Sequence, residues 1–186
     1  MKYGVRGIPN VKLFRNGEVI NEFTGALPEQ AIKEWLKKSI PSKFSDQIEH
    51  AKIYLKNGDV DAAKAILEDV HKGDINNSEV RVLLAKVLLF ENQKEALRLT
   101  QNIEGNLNNI ELAEAIGILA EILNRDSLSF PDSEVKEKYI SAIYSIRKKD
   151  FDSALENFID VIRNDRNYDD DAARKACIAI FKYLGE

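Results

Sequence analysis

Leu55-Lys56-Asn57-Gly58-Asp59-Val60-Asp61-Ala62-Ala63 reads as the end of one helix, a turn and the start of the next. Gly58 suits the left-handed position just past a helix. Asp59 suits an N-cap, where its carboxylate accepts from a first-turn N–H. The frame returns at Leu88-Leu89-Phe90-Glu91-Asn92-Gln93-Lys94-Glu95-Ala96 and at Ile146-Arg147-Lys148-Lys149-Asp150-Phe151-Asp152-Ser153-Ala154. Each copy ends on a small Ala that lets two antiparallel helices approach closely while larger residues fill the flanks.

Ala63 and Ala96 are 33 residues apart, close to the ~34-residue tetratricopeptide period. Ala96 and Ala154 are 58 apart, so the third copy is out of phase and an extra helix or a divergent pair is expected between them. An irregular helical bundle is the plain alternative. Helical spacing predicts pairs at 44–57 with 60–72 and at 79–91 with 94–104. A helix over 110–124, apolar almost all round, is expected to be central. Three more are expected at 133–148, 151–164 and 170–184, after a loop at 127–132.

Composition removes several function classes. The 186 residues carry 27 Lys and Arg against 31 Asp and Glu, a net charge of −4. That balance does not suit nucleic acid, which needs clustered positive charge. The single Cys excludes an intrachain disulfide. No apolar run reaches ~18 residues, so no membrane span is expected. The first residues lack the apolar core of a signal peptide, and a soluble cytoplasmic protein is the expectation.

Ahead of residue 42 the pattern is strand, turn, strand, helix. Val11–Arg15 favours a strand, Asn16-Gly17 is a strong hairpin signal, and Glu18–Thr24 reads as the return strand. Pro28 suits the first turn of a helix whose apolar face is Ile32, Trp35, Leu36 and Ile40, with Pro41-Ser42 closing the segment. The run Tyr3-Gly4-Val5-Arg6-Gly7-Ile8-Pro9-Asn10-Val11-Lys12-Leu13-Phe14-Arg15-Asn16-Gly17-Glu18, continuing through Phe23-Thr24-Gly25-Ala26-Leu27-Pro28, resembles the second half of a thioredoxin domain. The resemblance implies a cis Ile8–Pro9 bond. It places the family's Cys-x-x-Cys upstream of this sequence, leaves Cys177 without a redox partner, and leaves a strand edge open. A hairpin and one helix are marginal alone, so docking on the helical part or on a second copy is expected.

The ending narrows the resemblance. Asp150-Phe151-Asp152-Ser153-Ala154-Leu155, Ile162–Tyr168 and Asp169-Asp170-Asp171-Ala172-Ala173-Arg174-Lys175-Ala176, through Leu184-Gly185, are similar to the end of the YbbN-type proteins, or chaperedoxins. Those join a thioredoxin domain to a tetratricopeptide-like one, and their chains usually continue past this Leu-Gly point. The fold class expected is mainly α: a tetratricopeptide-like helical repeat array (42–186) carrying a partial thioredoxin segment, hairpin plus helix (1–41). The family implies a bacterial cytoplasmic holdase that binds unfolded or partly folded proteins and cooperates with the GroEL-type chaperonin. No enzyme activity, cofactor or metal is assigned to this chain, and a homodimer through the open strand edge is expected. A fragment of a disulfide oxidoreductase and an assembly scaffold are the competing readings.

Stacked helix pairs form a groove lined by their first helices. That nominates Lys52, Tyr54, Arg81 and Lys86, with Tyr139 and Tyr144 as either groove anchors or core. Cys177, on an apolar face with Ala173, Ala176, Ile180, Phe181 and Leu184, reads as a buried, inert thiol. His50 and His71 have no partners at metal-ligand spacing. Asp169-Asp170-Asp171 reads as helix-start carboxylates, with Arg174 and Lys175 placed to pair with them.

Overall fold

A computed structural model describes residues 3–40 and 43–185. The chain divides into two compact units, Met1–Asp46 and Gln47–Glu186. The boundary expected between residues 41 and 42, and the closing Pro41-Ser42, lie outside the described residues.

In the first unit, β1 (Asn10–Arg15) and β2 (Glu18–Thr24) pair antiparallel, from Asn10 opposite Thr24 to Arg15 opposite Glu18. Asn16 and Gly17 take φ of 51° and 86°, the positive values that a type I′ turn requires at both central positions. The register shifts between Leu13 and Phe14, so Ile20 is an extra residue on β2, a β-bulge. The Ile8–Pro9 peptide is cis, and the Pro9 carbonyl accepts from the Gly25 N–H at 2.8 Å. Pro28 caps α1 (Glu29–Ser39) rather than entering its first turn, a place where no N–H is needed. Phe23 meets Trp35 edge to face at 4.9 Å, and Asn21 donates to Ser39 at 2.7 Å, tying β2 to α1. Among the described residues of this unit the sheet has two strands and no side chain is fully buried.

The second unit is helical. α2 (Ser45–Lys56) crosses the division, and α3 (Val60–Gly73) follows. Then come α4 (Ser78–Leu88), α5 (Gln93–Leu99), α6 (Leu107–Asn124), α7 (Lys136–Arg147), α8 (Phe151–Asn164) and α9 (Tyr168–Leu184). The repeated turns share one construction. Asp59 accepts from the Ala62 N–H at 3.2 Å, Asn92 from Glu95 at 3.1 Å and Asp150 from Ser153 at 3.2 Å. Gly58 has φ of 81°, and Lys149 takes 61° at the matching place. Ala63, Ala96 and Ala154 have no exposed surface.

The phase break between the second and third copies is a single extra helix, α6, followed by a 3-10 turn at Ser127–Ser129. α6 packs against α4, α5, α7 and α9, burying Ile116, Leu119, Ile122 and Leu123 among others. Its apolar surround therefore has neighbours on several sides. α5 ends earlier than the spacing predicts, at Leu99, because the Thr100 hydroxyl turns back onto the Leu97 carbonyl at 2.9 Å and Asn102 and Gly105 take positive φ.

The start of α9 also differs. Asp169, Asp170 and Asp171 lie in the left-handed region with φ of 49°, 59° and 60°, and the regular helix begins after them. Rather than capping N–H groups, their carboxylates meet Arg125 at 2.5 Å, Lys175 at 2.6 Å and Arg174 at 2.5 Å respectively. Asp is among the few residues that enter this region at modest cost. No helix of the described residues is long and apolar enough to cross a membrane.

Two glycines separate conformation from packing. A Cβ at Gly58 would meet nothing within 4 Å, yet φ there is +81°; at Gly117, inside α6, it would meet Thr100 Oγ1 at 3.6 Å and Leu97 Cδ1 at 3.9 Å, ordinary contacts. Urea unfolding of Gly58→Ala is expected to show a loss of about 1 kcal/mol. Gly117→Ala should gain up to about 1 kcal/mol from helix propensity.

Candidate functional site

The helical unit holds a groove built from several elements. Spacings of three and four residues bring Lys52, Leu55 and Lys56 to one face of α2, and Leu83, Lys86 and Val87 to one face of α4. With Val60, Phe90, Leu112 from α6, Lys149 and Tyr183 from α9, they line a space of about 430 Å³. Its floor is apolar. Phe90 packs against Tyr183 at 6.0 Å and Phe151 at 6.3 Å between ring centroids, and Phe151 lies 5.9 Å from Tyr183.

The rim is cationic. Lys52 pairs with Glu79 at 2.7 Å and Glu49 at 3.3 Å, and the Glu79 hydrogen bond is the chief reason its pKa is raised. Lys86 has the opposite environment, since burial lowers its pKa. Its ammonium lies 4.9 Å from the Tyr183 ring centroid, and that of Lys149 lies 5.1 Å from Phe90, distances at which a ring face attracts a cation. The Tyr183 hydroxyl donates to the Lys86 carbonyl at 3.5 Å, and burial pushes this phenol up to about 12.

The structure thus brings Lys52 and Lys86 together. Arg81 points to a separate polar cleft of about 520 Å³ shared with Asn76, Arg98 and Glu104, and its guanidinium donates to the Gln101 carbonyl at 2.5 Å. Tyr54 is 39% exposed and lies outside the groove lining. Tyr144 is 56% exposed, with Lys148 over its ring at 4.3 Å. Tyr139 requires a correction: it is not a groove residue. It is wholly buried, with Phe130, Phe158 and Tyr168 packed edge-on around it at 5.2–5.4 Å. Tyr168 fixes the cluster by donating to the Pro131 carbonyl at 2.8 Å. Pro9 belongs to the other unit.

Phe90, Leu112, Lys149 and Tyr183 were not apparent as groove residues from sequence. A Phe in a turn that is otherwise polar was the available signal for Phe90. Tyr183 gave none, because its place depends on α9 packing against α6. Cys177 is half-buried, and burial raises its thiol pKa, so the reactive thiolate is disfavoured at neutral pH. Among the described residues no cluster of His, Cys, Asp and Glu could hold a metal ion.

The architecture is a helical repeat array joined to a hairpin-and-helix unit, and comparison with known proteins finds similarity to parts of the chain. The tetratricopeptide repeat family model matches residues 131–186, which hold α7, α8 and α9. A thioredoxin from Rhodospirillum rubrum is 46% identical over 39 residues, 21% of this chain. The match spans 38% of that thioredoxin's length. Together they support a chain that combines tetratricopeptide repeats with a short thioredoxin-like stretch. Tetratricopeptide repeats are protein-interaction modules, and a groove with an apolar floor suits that role.

The Tyr183 phenol gives the groove a pH signature. Its ordinary pKa is 10.0 and the folded value is about 12, so the folded protein holds the proton more tightly than the unfolded chain. Stability present below pH 10 is therefore lost as pH rises towards 12, by at most about 2–3 kcal/mol. Urea midpoints measured across that window should fall for the wild type and fall less for Tyr183→Phe.

Proposed function

We propose that this chain is a protein-binding chaperone or co-chaperone of the chaperedoxin type. It holds unfolded or partly folded proteins in the bacterial cytoplasm, and can deliver them to a GroEL-type chaperonin, without redox chemistry of its own. The observation that carries this reading is the uncovered apolar surface of the hairpin unit. Ile8 is 91% exposed, Phe14 46% and Ile20 40%, and no described side chain of residues 3–46 is fully buried. Large apolar side chains left exposed on so small a unit are available for contact with a partner. Burying them against a client's own exposed side chains gives a reversible, sequence-tolerant attraction. The groove of the repeat unit supplies a second surface. The half-buried single thiol favours holding over dithiol exchange, which needs an activated thiolate and a resolving partner.

Light scattering of a thermally unfolding client tests this reading. Near-stoichiometric chain should suppress aggregation, and the exposed-site double variant Ile8→Ser/Ile20→Ser should need several-fold more protein for the same effect. Aggregation unchanged by the wild-type chain would sink the holdase reading in favour of a scaffold.

The two-stranded sheet leaves one edge of each strand without a partner among the described residues, and pairing of two copies would satisfy one of them. Sedimentation of the full chain should show a dimer that grows with concentration. A monomer at all concentrations would remove that partner.

A further inference from the structure

The groove of the helical unit carries charge that the chain itself does not balance. Among the described residues Lys56, Lys86 and Lys149 have no carboxylate partner, whereas the neighbouring Lys52 is taken by Glu79 and Glu49. Elsewhere among the described residues of the helical unit some lysines are matched, Lys64 with Glu91, Lys136 with Asp132, Lys138 with Asp160 and Lys175 with Asp170, while Lys72, Lys94 and Lys148 have no carboxylate partner and lie outside this groove's lining. Three lysines without a carboxylate partner thus share one apolar depression whose lining holds no Asp or Glu, on a chain whose net charge is −4.

Lys86 sharpens the argument. Its ammonium is partly withdrawn from water and rests over the Tyr183 ring. Much of the desolvation that an ion pair normally costs has already been incurred on its side, and a charge-assisted hydrogen bond to an incoming carboxylate would be correspondingly favourable. The lining contains no Asn, Gln, Ser or Thr, and the Tyr183 hydroxyl is already given to the Lys86 carbonyl. Nothing fixes the orientation of a single terminal carboxylate. Mobile lysine heads around an apolar floor suit side-chain carboxylates distributed along a segment.

We propose that the groove receives an acidic internal segment of a partner protein. One large apolar side chain of that segment would sit on the Leu83, Phe90 and Leu112 floor, with flanking Asp or Glu carboxylates paired to Lys86, Lys149 and Lys56. The proposal rests on the protein-binding reading above and adds the chemistry of one partner. It separates this surface from the uncharged, sequence-tolerant attraction offered by the hairpin unit.

Fluorescence anisotropy of the full chain with fluorescein-labelled Glu-Asp-Phe-Glu-Asp-amide tests it. Binding should weaken by about tenfold or more when the peptide's Phe becomes Ser, when its acids become Lys, or in the Lys86→Met/Lys149→Met variant. Lys56→Glu, at an exposed helix end where folding is not at risk, should weaken it several-fold, and Lys94→Met on α5 should leave it unchanged. Rising salt should weaken the wild-type complex. Circular dichroism confirms that each variant is folded. Equal affinity for acidic and basic peptides would overturn the proposal. So would unaltered binding by the folded lysine variants, or binding only when the amide is replaced by a free C-terminal carboxylate. Client aggregation assayed with the same variants keeps the two readings apart. A wild-type chain that binds the peptide but holds no client defeats the holdase reading and leaves this one standing; a chain that holds clients but ignores the peptide does the reverse.

Discussion

The helical unit depends on how closely consecutive helices can approach at their shared turns. At three turns the solution is the same. An Asp or Asn side chain takes a first-turn N–H, and the alanine four residues later donates its own N–H to that residue's carbonyl: Ala63 to Asp59 at 3.2 Å, Ala96 to Asn92 at 2.9 Å, Ala154 to Asp150 at 3.2 Å. Each alanine is then wholly enclosed. A larger side chain at any of the three would need room that a close-packed interior does not have. The cap fixes where the helix begins, the alanine fixes how near it can come, and the outward faces of α2 and α4 follow. That is why Lys52 and Lys86, 34 positions apart in the chain, edge one groove.

The parts of this arrangement that are local in sequence were readable from it. Gly58, Asp59 and Ala63 announced their turn, and Asn16-Gly17 announced the hairpin, because each residue type answers a backbone requirement met within a few positions. The 58-residue gap between Ala96 and Ala154 revealed that something intervened, and α6 is that element. At the start of α9 the pairing of the aspartates with Arg174 and Lys175 was legible, whereas the left-handed backbone was not, because consecutive aspartates look alike whether they cap a helix or turn away to pair with bases. The partner that matters for Asp169 is Arg125, 44 residues away. Tyr139 was ambiguous for the same reason. Helical spacing puts it on a face, and only the arrival of Phe130, Phe158 and Tyr168 decides that the face is interior.

The groove shows the limit more clearly. Its two lysines on first helices could be nominated from their place in a repeat, whereas its aromatic lining could not, since Phe90 and Tyr183 come from a turn and from α9. Charge on a rim is a property of single residues. A floor is a property of packing, and aromatic side chains provide it with much area and few rotatable bonds.

The contact between α6 and α9 carries a last consequence. In an open solenoid each repeat touches only its neighbours in sequence. Here α9 returns to α6, so α7 and α8 are a hairpin held within a closed loop of structure. Such closure links segments some sixty residues apart, and an apolar flank of α6 stays bare on a ribosome until the last helix has emerged. The second half of the array should then open and close cooperatively, with amide exchange rates in α6 tied to those in α9.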